Sequence, residues 1–263
     1  MLTINNLYSI LDEYAPFEIS KKAIEQGSHD NSGIIVNCHQ NINRILFSLD
    51  LSIEAVNRAK RLKCDTIITH HPAIFYPISQ IDISDPSTAP ICLAVKNDIN
   101  VISMHLNLDQ TEGGIDEWLA KALGATSAKI IEVQSENIGY GREFCLNKTD
   151  VKTLVNSLKV ALNTKKVIVY GGLNQQFNKV ASFCGGGASH AYKVVTSGKC
   201  DAQVIVTSDV AHHVIKEFVE MGKILVIPTH YSAENFGFKK FYQAISQKLD
   251  SVELEYFEDK RFL

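Results

Sequence analysis

The sequence has no apolar run approaching the roughly 20 residues that a membrane-crossing helix needs, which excludes a helical membrane span. It has no basic excess either. Lys and Arg number 26 against 29 Asp and Glu, a net charge of −3 without long blocks of one sign, so a nucleic-acid binder with a basic stripe is not expected. The first residues, MLTINNLYSILDEYAPFE, lack the basic and then apolar order of a signal peptide, and a cytoplasmic protein is expected. Six cysteines (Cys38, Cys64, Cys92, Cys145, Cys184, Cys200) include no C-x-x-C pair. A zinc knuckle or a redox dithiol is thereby disfavoured, and the cysteines read as buried thiols in a reducing compartment. Also missing are a G-x-S-x-G elbow, a P-loop lysine motif and an H-E-x-x-H helix, which removes the signatures of several hydrolases and nucleotide-binding enzymes.

What is present is an ordinary globular composition, 45% hydrophobic and 21% charged over 263 residues. That length suits one large α/β domain or two small ones, at roughly 150 residues per domain. Apolar positions Ile4, Leu7, Ile10 and Leu11 follow a potential N-cap at Thr3 and stop at Pro16, predicting a helix. Asp30-Asn31-Ser32-Gly33 is a turn before the strand Ile34-Ile35-Val36, and Arg44 to Leu49 reads as the next strand. Ser52 can cap a helix carrying Val56, Ala59 and Leu62. The short apolar run Cys64 to Thr69 ends in His70-His71-Pro72. A helix from Ala89 to Asp98, a strand from Asn100 to His105, and a helix from Gly114 to Leu123 stopped by Gly124 follow.

The second half predicts strands at Lys129 to Val133 and Arg142 to Leu146, a helix from Asp150 to Leu162, and a strand at Val167 to Tyr170. Two further units place strand Val180 to Phe183 before a helix at Ser189 to Ser197, and strand Ala202 to Thr207 before a helix at Asp209 to Met221. Strand Ile224 to Ile227 leads to Thr229-His230, and a last helix is expected from about Glu234 to Lys248. Alternating strands and helices predict an α/β fold with largely parallel sheets.

The halves share a pattern. Lys63-Cys64-Asp65 opens one strand and Lys199-Cys200-Asp201 another, each followed by a helix and a further apolar strand. His105 is followed four residues later by Asp109, and His230 four residues later by Glu234. Two related lobes are expected, residues 1–127 and 128–263.

In open α/β sheets ligands bind outside the carboxyl ends of parallel strands, where His70, His71, His105, Asp109, His230 and Glu234 are predicted to lie. Imidazole and carboxylate together suit zinc, iron or manganese, and more than four donors suit two ions. Adjacent side chains on an extended segment diverge, so His70 and His71 can each serve a different ion. His105 can ligate, orient a ligand or carry a proton. Asp209 and His213 read as a cap and polar face of their helix. Gly185-Gly186-Gly187 is not a dinucleotide fingerprint and reads as a tight turn more readily than as an anion cradle.

Asp30-Asn31-Ser32-Gly33, Thr69 to Phe75, His105-Leu106-Asn107-Leu108-Asp109, Gly185-Gly186-Gly187, Thr207-Ser208-Asp209 with His213, and His230 to Glu234 stand in one order. In this the chain resembles the Nif-three-like dinuclear metal-centre proteins, or GTP cyclohydrolase I type 2 homologues, over nearly its whole length. The resemblance implies a two-lobed α/β fold with a metal site at strand ends between the lobes, and a homohexameric ring. It implies two divalent ions held by His70, His71, Asp109, His230 and Glu234, with Glu234 bridging. Thr229 and Ser208 depart from glycines common in the family, and the segment from Gly124 to Asp150 is too short for the domain some relatives insert.

The resemblance further implies a hydrolase that opens the guanine ring of GTP by attack of water and releases formate; His105, at its strand end, is read as the candidate catalytic proton carrier. Cleavage of phosphoesters and a non-catalytic metal-binding or interaction role remain open beside it, because a shared metal centre does not fix a substrate. No membrane partner is expected.

Overall fold

Thr3 decides where the first helix begins. Its hydroxyl accepts the Asn6 N–H, so the chain turns from β1 (Leu2–Thr3) into α1 (Ile4–Tyr14), which buries Ile4, Leu7 and Leu11. The computed structural model describes residues 2–263. After Pro16 comes a helix that the hydrophobic spacing does not announce, α2 (Phe17–Glu25). Then follow β2 (Gly33–Val36), β3 (Asn41–Ile42), β4 (Arg44–Ser48), α3 (Ile53–Leu62), β5 (Thr66–Thr69), α4 (Ala89–Lys96), β6 (Asn100–Ser103) and α5 (Leu106–Gln110). Ser52 caps α3 through the Ala55 N–H, as its position predicts.

The chain continues with α6 (Ile115–Ala122), β7 (Lys129–Ser135), β8 (Ile138–Asp150), α7 (Val151–Ala161), β9 (Val167–Tyr170) and β10 (Gln176–Ser182). Next are α8 (Ala188–Thr196), β11 (Val204–Val206), α9 (His212–Glu220), β12 (Ile224–Pro228), α10 (His230–Ser246) and β13 (Glu253–Phe257). Two compact units emerge. The first comprises residues 1–111 and 238–259, the second residues 112–237 and 260–263. The expected boundary at 127/128 falls inside the second unit, and the end of α10 with β13 returns to the first.

In the first unit the sheet order is β13-β4-β5-β6-β2, parallel except for β2. Both faces are covered, which is why Thr66–Thr69 and Asn100–Ser103 are buried throughout. Leu46, Ile67 and Val101 pack with Val56, Ala59, Ile91 and Ala94. Phe47, pointing the opposite way from Leu46 as strand alternation requires, meets the rings of Phe238 and Phe241. β13 lies beside β4 in register Glu253 to Arg44, and those two side chains form an ion pair.

The second unit departs from a largely parallel sheet. Its order is β7-β8-β10-β11-β12-β9, and only β10-β11-β12 run parallel; β7, β8 and β9 add antiparallel pairings. α8 and α9 cover one face through Ala191, Val194 and Phe218, against Ala181, Ile205 and Leu225. The repeat seen in the sequence is therefore a parallel three-strand core in each unit, β4-α3-β5-α4-β6 and β10-α8-β11-α9-β12, with different edges. Among the described residues no helix is long and apolar enough to cross a membrane.

The expectation that all six cysteines are buried fails in part. Cys64, Cys184 and Cys200 are buried, Cys38 and Cys92 are half-buried, and Cys145 is exposed. Burial pushes the Cys64 thiol up to about 12 and Cys200 up to about 11, so both stay protonated and unreactive near neutral pH. In the native protein a thiol-specific reagent should label Cys145 first, and Cys64, Cys184 and Cys200 only on unfolding; mass mapping of the labelled peptides over time checks this.

Candidate metal centre

The carboxyl ends of the parallel strands gather the predicted residues within each unit. β5 ends at Thr69, and the following His70 is fully buried with Nδ1 2.7 Å from the Met104 carbonyl oxygen. A carbonyl only accepts, so Nδ1 carries a hydrogen and Nε2 is the nitrogen left to hold either a lone pair or a proton. That Nε2 lies 3.5 Å from Oδ1 of Asp109, a carboxylate only 4% exposed. A lone pair facing a buried carboxylate requires a cation there, either a proton on the ring or a metal ion.

His71 points elsewhere, with Nδ1 2.6 Å from Asp50 Oδ1. Asp50 follows β4, the neighbouring strand, so the two strand ends hold this histidine jointly. Thr69 Oγ1 donates to the His71 carbonyl and shares a 2.8 Å hydrogen bond with Ser103 Oγ at the end of β6.

β6 stops at Ser103, two residues before the expected end, and His105 caps α5. This short helix is what turns Asp109 back toward His70. His105 Nδ1 is 2.6 Å from Asp30 Oδ1, and its backbone N–H donates to Ser32 Oγ, whose hydroxyl donates to Asp30 Oδ2. The Asp30 to Gly33 turn is thus a holder for His105 as well as a turn. The rings of His70, His71 and His105 lie 4.9 to 5.8 Å apart, and one ring nitrogen from each falls within 4.8 Å of the others.

In the second unit α10 begins at His230, four residues before the expected start. Thr229 explains the early start. Its hydroxyl accepts the Ser232 N–H and bonds Ser232 Oγ, capping the helix. His230 and Glu234 then stand one helical turn apart, Nε2 to Oε2 2.9 Å, with Glu234 2% exposed. His230 Nδ1 lies 2.5 Å from Asp209 Oδ2. Asp209 does not cap α9, whose N-cap is Ala211; it sits at φ 52° beyond β11 and orients His230. Ser208, the other departure, donates to the Pro228 carbonyl and ties the ends of β11 and β12. Gly185 has φ 59°, and a Cβ there would strike Glu234 Oε1. The triple glycine is the tight turn expected.

Residues 2–261 match the model of the Duf34/NIF3 family (NGG1p interacting factor 3). The chain belongs to this family. It is 30% identical over 255 residues to a GTP cyclohydrolase 1 type 2 homolog of Clostridium perfringens, covering 95% of this chain and 94% of that one. Among solved structures it is similar to reduced HcgD from Methanocaldococcus jannaschii, with TM-score 0.82, 27% identity and 98% of each chain covered. The fold is also shared with Staphylococcus aureus hypothetical protein SA1388, at TM-score 0.84 and 24% identity over 98% of this chain and 97% of that one.

The sequence reading of this NIF3 chain missed the orienting carboxylates. Asp30 is read only as a turn residue, Asp209 as a helix cap, and Asp50 is passed over. Asp50 had a signal: it stands immediately after a predicted strand, at the edge that carries the histidines.

Burial pushes the Asp30 carboxyl up, but the hydrogen bond and charge of His105 and the hydroxyls of Ser20 and Ser32 outweigh it, holding the group at about 2 against an ordinary 3.8. A folded value below the unfolded one stabilises the fold above pH 3.8, and the gain is lost as pH falls through 2. At about 1.4 kcal/mol per unit this is about 2 kcal/mol. The stability advantage of the parent over Asp30→Asn, measured by urea unfolding, should therefore shrink from pH 5 to pH 2. An unchanged gap across that window would show that the Asp30 charge contributes nothing to folding.

Proposed function

We propose that this NIF3 protein is a metal-dependent hydrolase that acts on the guanine ring of GTP and releases formate. His70, His71 and Asp109 of the first unit and His230 and Glu234 of the second would hold two divalent ions, with Glu234 shared between them. The observation that carries the reading is the fully buried His70 set beside the buried Asp109 carboxylate, Nε2 to Oδ1 3.5 Å, with its Nδ1 held by the Met104 carbonyl. The same arrangement supports His71 and His230, whose Nδ1 atoms are engaged by Asp50 and Asp209; ligating histidines are characteristically held this way. Bound ions of this kind supply Lewis-acid polarisation and lower the pKa of water toward about 7.

The chain's own residues do the rest. Asp30 accepts the Nδ1 hydrogen of His105 and fixes its ring, leaving Nε2 to take up a proton and return it to the leaving group. Phe75 stands edge-on to His105 at 5.7 Å and limits how the ring can turn. The relatives named GTP cyclohydrolase 1 type 2 homolog support the guanine ring as the reacting group. Two-ion phosphoester cleavage is the second reading, favoured by the same donor set. A cytoplasmic homohexamer is proposed with it, and light scattering of purified protein tests the assembly.

The purified protein should contain two divalent ions per chain by elemental analysis, and should release formate from GTP. His70→Ala and Glu234→Ala should lose metal. His105→Ala should keep most of its metal and lose about 10²–10⁴-fold in rate, the usual contribution of a proton carrier. No metal after reconstitution would sink the reading as a whole. Metal without formate, but with phosphate release from phosphoesters, would select the second reading. If His105→Ala empties the protein as His70→Ala does, His105 is a ligand.

A further inference from the structure

The second unit contains a buried ion pair for which the proposed function has no use. Asp116, on α6, is fully buried, and Arg142, on β8, is 2% exposed; Arg142 Nη1 donates to Asp116 Oδ2 at 2.9 Å. Such a pair contributes little net stability, since removing two charges from water costs about what their attraction returns, and apolar residues of similar size often serve as well. Its contacts suggest another purpose. Asp116 Oδ1 accepts the Cys184 N–H at 3.0 Å, and Tyr140, two residues before Arg142, donates its hydroxyl to the Cys184 carbonyl. Both polar groups of one residue are thus held by side chains at the point where β10 has ended and the chain turns.

The next residue is Gly185. Its carbonyl accepts the Ser208 N–H at 3.0 Å and the Thr207 hydroxyl at 3.3 Å, so the turn is fixed from both sides. At φ 59° its α-carbon lies against the ligand pair: a Cβ would overlap Glu234 Oε1 and sit 3.2 Å from His230 Nε2. The backbone of Gly185 is the wall behind these two side chains, and its position is set by Cys184.

We infer that Asp116, Arg142 and Tyr140 form a positioning device that holds the Cys184–Gly185 backbone so that His230 and Glu234 present their donors in ligating geometry. The inference rests on the reading that His230 and Glu234 bind metal. Asp116 and Tyr140 act through the backbone and touch no ion.

The test measures Zn²⁺ affinity against a chromophoric chelator, and the visible absorption of the Co²⁺-substituted protein, which reports coordination geometry. Gly185→Ala, Asp116→Asn and the mild Tyr140→Phe are compared with Phe218→Leu, which loosens the apolar core shared with Phe183 and Tyr140 but removes no hydrogen bond to Cys184. Gly185→Ala and Asp116→Asn should lose 10- to 100-fold in affinity, the usual cost of disturbing the groups behind metal ligands, and should shift the Co²⁺ bands. Tyr140→Phe should shift them with a smaller loss. Phe218→Leu should lower the melting temperature with affinity and bands unchanged. If Tyr140→Phe and Gly185→Ala bind Zn²⁺ within twofold of the parent with the parent's Co²⁺ spectrum, the inference is wrong whatever Asp116→Asn does. A parent that binds no metal overturns the underlying reading, and the inference falls with it.

Discussion

Every candidate histidine, in either unit, depends on one hydrogen bond: an imidazole Nδ1 engaged by an oxygen. Met104 does this for His70, Asp50 for His71, Asp30 for His105 and Asp209 for His230. With Nδ1 anchored, the orientation of each ring is fixed and Nε2 is the nitrogen left for a metal ion or a proton. A histidine without that anchor would rotate between rotamers and tautomers, and each metal-binding or proton-transfer event would bear the cost of ordering it. The anchors differ in kind. A carbonyl leaves His70 with an ordinary imidazole, whereas a carboxylate raises electron density on the other three rings.

The repeated βαβαβ core explains why these anchors fall where they do. Parallel strands deliver successive segments to one edge, so a residue just past one strand reaches a residue just past its neighbour. In the first unit Asp50 past β4 meets His71 past β5. In the second, Asp209 past β11 meets His230 past β12. The third strand of each core is followed by a histidine and, four residues on, by a carboxylate, but α5 and α10 present these pairs differently. His230 and Glu234 share one helical face, while His105 caps its helix and Asp109 turns to His70 instead. The same spacing thus yields a histidine–carboxylate pair in one unit and frees His105 for a separate role in the other.

Much of this was legible in the residues. His70 and His71 interrupt an apolar strand abruptly, and the caps Thr3 and Ser52 lie where a side-chain oxygen can meet the first free N–H groups. The orienting carboxylates were not legible because their partners come from other strand ends, tens of residues away, and an aspartate in a turn has a sufficient local explanation. β13 escaped for a related reason: Glu253 to Phe257 alternates charged and apolar residues at a chain end, and only its pairing with β4, more than 200 residues earlier, gives it a sheet to join. α2 was hidden by Pro16, read as a stop although proline also suits the start of a helix.

Thr229 and Ser208 follow the same logic of anchoring by short side chains. Glycine before His230 would leave the first turn of α10 without a side-chain cap, and Thr229 supplies one through Ser232. Glycine before Asp209 would leave the end of β11 without its hydroxyl, and Ser208 uses that hydroxyl on the Pro228 carbonyl. Both hydroxyls tie the chain beside His230 and Asp209 to its own backbone. Gly185 tolerates no such change, because the space its side chain would need is occupied by Glu234. A side chain is therefore accommodated at positions 208 and 229, where it hydrogen-bonds back to the chain, and excluded at 185, where Glu234 fills the volume.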